Sequence, residues 1–163
     1  MSTLAPLIEA WDEAYREFSI AMEGMPEEDL WKRAHPRLLS VGELAGHIAY
    51  WQAVGVMGGG NDRPDIGSLP IKSPLLDNAF RYYTTNVDHV FRVDLDVAQT
   101  LGEVQRIHEA AKAELGDKDL DTPYAGQWKT WGNLVKYQVF HVSYHTGQAY
   151  SVRHLLGHET EDN

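Results

Sequence analysis

From Trp131 to Leu155 the chain carries one helical stripe that is apolar at its ends and polar in its middle. Trp131, Leu134, Gln138, His141, His145, Gln148, Val152 and Leu155 follow one another at intervals of 3, 4, 3, 4, 3, 4 and 3 residues. That spacing makes a single seam on one helix face, and a strand, with its period of two, cannot produce it. A helix seam of this length has to be buried against other helices. Its centre therefore places two imidazoles and two carboxamides where an unpartnered polar group costs roughly 1–3 kcal/mol.

Three further segments supply the helices for this one to pack on. Leu4, Ile8, Trp11, Tyr15, Phe18, Met22 and Met25 form a second stripe, which Pro26 brings to an end. Ser40 and Glu43 in "SVGE" have the spacing of a capping box. The helix they open runs through Val41, Leu44, Ile48 and Trp51 to about Met57. The third helix is expected from Asp96 to Leu115, with Gly116 past its end, and the fourth from about Thr130 to Leu156, with Gly157 as its stop. Residues 75–93 read as a short helix followed by an extended connector lying on the bundle. The expectation is an all-α four-helix bundle, residues 1–163 as one domain, with a long connector between helices 2 and 3.

Composition narrows the function. The net charge is −10, and the densest basic cluster is "KRAHPR". A nucleic-acid partner needs a basic face, so neither nucleic acid nor an anionic membrane surface is expected. The chain contains no Cys, which removes disulfides, thiolate ligands and a Cys nucleophile. The segment "MSTLAPLIEAWDEAYREF" has early acids and no basic start, so it is not read as a signal peptide, and a cytoplasmic protein is expected. The triple glycine from Gly58 to Gly60 lacks the G-K-[ST] ending of a phosphate loop.

His141 and His145 stand at i and i+4, one turn apart on one face. Two imidazoles so placed can share a metal ion, and imidazole suits zinc, nickel, copper and ferrous iron. H-x-x-x-H is also the spacing of two core or surface histidines that have hydrogen-bond partners. Burial at the centre of the seam calls for a shared partner, either a metal or a polar cavity holding water. His47 flanks the stripe of helix 2 and turns towards the bundle. His108 reads as the solvated flank of helix 3, although it could reach inside. His35, next to Pro36, and His89, in the connector, read as surface. His154 and His158 repeat the spacing, but Gly157 interrupts them at the helix end and they read as a decoy.

"LLSVGELAGHIAYW" followed by "FHVSYHTGQ" resembles the DinB/YfiT-like proteins, bacterial four-helix bundles with one metal-binding His on the second helix and an H-x-x-x-H on the fourth. The resemblance covers nearly the whole chain. It implies His47, His141 and His145 as ligands of one divalent transition metal, zinc or nickel first. Three ligands leave coordination positions open, as catalytic sites do. Gln148, three residues after His145, would orient a bound water or an imidazole, or else make a helix-packing bond; Gln138 has the weaker claim of the two. Trp51 and Tyr144 are the expected pocket residues, with Tyr50 and Tyr137 nearby. Relatives of this kind include metal-dependent transferases and isomerases that use a low-molecular-weight thiol such as bacillithiol or mycothiol. The alternative is a non-catalytic metal-binding or stress-response bundle. A homodimer is expected from the resemblance, and from the number of large aromatics: Trp11, Trp51, Trp128 and Trp131.

Overall fold

The computed structural model describes residues 3–59, 65–82 and 89–160. Four α-helices form the bundle: α1 (Ala5–Met22), α2 (Val41–Met57), α3 (Val97–Leu115) and α4 (Trp131–Leu155). α1 packs chiefly on α4 and α2 on α3, while α2 also meets α4. That last contact places the histidines of two helices opposite each other. Among the described residues there is no strand and no helix long and apolar enough to cross a membrane.

Local chemistry sets the helix ends. The Ser40 hydroxyl accepts the Glu43 N–H, and the Glu43 carboxylate accepts the Ser40 N–H. Such a cap is worth about 1 kcal/mol. Glu43 does more than cap. It is fully buried, pairs with the Arg33 guanidinium at 2.6 Å and accepts the Phe91 N–H at 3.1 Å. One carboxylate thus fastens the turn before α2 and the connector before α3 to the same point. Asp96 and Gln99 form a second capping box at the start of α3. Gly24, at φ +67°, follows the end of α1 two residues before Pro26, so Met25 is buried outside the helix rather than in its last turn.

α2 is buried on nearly every face, as the central element of the fold must be. Part of its cover comes from the connector. The expected short helix in residues 75–93 is instead two 3₁₀ turns, Pro74–Leu76 and Asn78–Arg81. Each is closed by an aspartate or serine side chain accepting a backbone N–H, Ser73 for Leu75 and Asp77 for Ala79. Such side chains compete with helix propagation. Residues 83–88 lie outside the described residues. Leu75, Leu76 and Phe80 are buried against the bundle. Phe80 comes so near that a Cβ on Gly46 would lie 2.4 Å from its ring; only glycine permits that approach.

The α4 seam is buried at Trp131, Leu134, Gln138, His141, His145 and Val152 and half-buried at Gln148. Its expected last member, Leu155, is 65% exposed. A straight helix drifts by ~20° per heptad from a 3.5-residue repeat, and after three heptads the inward face has passed to Arg153. The Arg153 guanidinium donates to the Ala21 and Glu23 carbonyls at 2.9 and 2.8 Å, closing the end of α1. Trp11 and Trp131 belong to this chain's own core, and Trp51 and Trp128 are half-buried.

Candidate metal centre

His47 of α2 meets His141 and His145 of α4, and one nitrogen of each lies within 4.8 Å of the other two. The His141 Nε2 is 3.4 Å from His47 Nε2 and 3.2 Å from His145 Nε2. The other ring nitrogens decide the tautomers. His47 Nδ1 is 2.8 Å from the Phe80 carbonyl, which can only accept, so the proton sits on Nδ1. His145 Nδ1 is 2.7 Å from Gln148 Oε1 and donates likewise. Both Nε2 atoms therefore present lone pairs to the same point. His141 Nε2 can offer at most one proton between them.

This geometry fits a metal ion. Ligand nitrogens about 2.0–2.1 Å from a tetrahedral ion lie about 3.3–3.4 Å apart, close to the two separations seen here. Outer partners that fix the free nitrogen are the usual companions of ligating histidines. Binding also requires neutral imidazoles, and burial provides them. Burial first, and then the neighbouring His145, push His47 down to about 4 against the opposing pull of the Phe80 carbonyl. His141 is pushed to about 2 by burial, with His145 and His47 adding to it. Burial also lowers His145, opposed by its bond to Gln148.

Aromatic rings wall the cluster. The Tyr137 ring stacks on His141 at 5.6 Å between centroids, and Trp128 stacks behind it at 4.2 Å. Tyr144 stands edge-on to His145 at 5.0 Å and is 53% exposed; its hydroxyl lies 3.3 Å from Gln148 Nε2. Trp51 meets His47 edge-on at 6.5 Å, and its indole N–H donates to the Arg81 carbonyl. The expected pocket residues Gln148, Tyr144 and Trp51 thus all border the triad. Tyr50 does not: its hydroxyl turns away to Asn78.

Two participants escape the sequence reading. The Phe80 carbonyl lies 33 residues from His47, and its only trace is Gly46, the small neighbour that admits the Phe80 ring. Tyr82 lies 5.8 Å from the His47 ring at φ +51°, a conformation rare for a tyrosine. Burial, with the Glu43 carboxylate next, raises its phenol well above the usual tyrosine range, so it stays protonated.

His108 corrects the expectation of a solvated flank. It is 3% exposed, its Nε2 donates to Asp12 Oδ1 at 2.7 Å, and its Nδ1 accepts from Gln52 Nε2 at 3.2 Å. Tyr15 stacks on it at 4.0 Å and Trp11 meets it edge-on. His154 is exposed, and His158 pairs with Asp29 at 2.7 Å; neither reaches the triad. His35 and His89 are exposed.

Fold and site together define a four-helix bundle with a three-histidine cluster able to hold a metal ion. The chain belongs to the DinB superfamily, whose family model matches residues 10–149. No curated protein and no solved structure matches it.

Proposed function

We propose that the protein is a cytoplasmic metal-dependent enzyme in which His47, His141 and His145 hold one divalent transition metal, zinc or nickel. Its proposed reaction is a transfer to, or an isomerisation through, a low-molecular-weight thiol. The observation that carries the metal reading is the convergence of the three Nε2 atoms, two with their lone pairs fixed by Phe80 and Gln148. A bound divalent ion would supply Lewis acidity, lowering the pKa of a thiol or water. The chain's residues do the rest. Phe80 and Gln148 orient the imidazoles. Tyr137, Trp51 and Tyr82 exclude water and lower the local dielectric, which strengthens electrostatic effects. Tyr144, exposed at the rim, borders the route of entry. With no Cys in the chain, no protein thiol competes with a substrate thiol.

Cobalt substitution tests the reading. Addition of a small thiol to the cobalt-loaded protein should produce a sulfur-to-metal charge-transfer band. A spectrum that responds to azide or pH but not to thiol removes the thiol chemistry. A spectrum indifferent to all three leaves the alternative, a closed and non-catalytic metal-binding bundle. The proposal includes a homodimer, supported by Phe140 and Tyr144 exposed side by side on α4. Light scattering that returns 18.4 kDa at high concentration would reject it.

A further inference from the structure

Two of the three site histidines have their outer nitrogen satisfied by the protein, and the third does not. His141 Nδ1 is buried without a hydrogen-bond partner. One turn earlier on the same face of α4, Gln138 is 2% exposed and its Oε1 is also buried without a partner. The orientation of that carboxamide is not arbitrary. Its Nε2 donates to the Trp51 carbonyl at 3.4 Å, and a flipped amide would set oxygen against oxygen there. The free atom is therefore the acceptor. An ion held on the three Nε2 atoms leaves His141 with its proton on Nδ1, a donor. The two orphans are complementary in kind and adjacent in position. Leaving each buried and unmade is costly, and ligating histidines almost always donate their other N–H.

We propose that Gln138 is the positioning residue of His141, accepting its Nδ1–H directly or through one buried water and so fixing the third imidazole of the triad. This rests on the metal reading above. It gives each imidazole an outer acceptor from a different part of the fold: a connector carbonyl for His47, the next turn of α4 for His145, and the preceding turn for His141. Gln138 would then have two separable roles, a donor to Trp51 that packs α4 on α2 and an acceptor that serves the metal site.

Two variants separate these roles. Gln138→Met keeps the length and loses both donor and acceptor; Gln138→Glu loses the donor and keeps the acceptor. The full chain, stripped of metal, is titrated with Zn²⁺ alone, and the imidazole nitrogens are followed by long-range ¹⁵N NMR. Gln138→Met should weaken Zn²⁺ binding about 10–100-fold, while Gln138→Glu should bind at least as tightly as wild type. In the zinc-loaded wild type the His141 Nδ1–H should be protected from exchange. In Gln138→Met that protection should vanish while the His47 and His145 signals persist. Equal weakening in both variants would reduce Gln138 to a packing residue and overturn the proposal, as would undiminished binding in Gln138→Met. A wild-type chain that takes up no Zn²⁺ would sink the metal reading and this proposal with it.

Discussion

The bundle buries imidazole in two places, at the lone His108 and at the triad, and the two differ in how their ring nitrogens are satisfied. At His108 both ring nitrogens find protein partners, Asp12 on α1 and Gln52 on α2. At the triad only the outer nitrogens of His47 and His145 do; the inner nitrogens of all three face one another. Burial lowers the proton affinity in both places, so perturbed titration does not distinguish them. Unspent lone pairs do. A satisfied histidine ties helices together, whereas a cluster with lone pairs pointing at a common centre can hold a cation.

The largest expected effect concerns pH, and both places share it. In the unfolded chain each histidine takes up a proton near ~6.5. In the folded apoprotein His47 resists until about 4, and His141, His145 and His108 are also lowered. Between these limits the unfolded state binds more protons, so stability falls as pH falls. Each histidine held neutral contributes a slope of about 1.4 kcal/mol per pH unit. Urea unfolding of the apoprotein between pH 7 and 4 should show this loss, and His108→Ala should make the profile shallower. A flat profile would mean that the histidines are not buried as described.

His108→Ala should cost about 3 kcal/mol. It opens a cavity under Tyr15 and Trp11 and strips Gln52 Nε2 of its acceptor. Asp12 is nearly half exposed and can turn to water and Lys112. Zinc stoichiometry measured by calorimetry should not change. A variant that folds normally but loses its metal would erase the contrast between the two places. Gly46→Ala should have the smaller effect on stability, about 1–3 kcal/mol from overpacking against Phe80. Its cost should appear at the triad as well, because displacing Phe80 moves the carbonyl that holds His47. Weaker zinc binding with only modest destabilisation is expected; unaltered binding would show that the Phe80 carbonyl does not position His47.

Much of this was legible in the sequence because it is local. The four helices follow from 3.6-residue periodicity and from caps such as Ser40 and Glu43. His141 and His145 sit on a seam that only burial explains, and Gln148 follows them by one turn. The rest depends on contacts between distant segments. His108 lies at the edge of its stripe, and what buries it is α1, where Tyr15 and Trp11 pack on its ring and Asp12, 96 residues away, takes its Nε2–H. The Phe80 carbonyl is invisible to side-chain reasoning, since any residue there carries one. The 3₁₀ turns took the place of a helix because Ser73 and Asp77 cap short turns, a competition that composition alone does not resolve. Leu155 fell outside because a seven-residue pattern and a 3.6-residue helix part company over three heptads.

The proposed metal centre requires that His47, His141 and His145 together hold one metal ion. Elemental analysis of the wild-type protein and of His47→Ala, His141→Ala, His145→Ala and His154→Ala, each reconstituted with zinc and desalted, tests it most directly. One equivalent per chain is expected in wild type and in His154→Ala, and little in the three triad variants. Equal metal content in all five proteins would show that the triad is not the metal site.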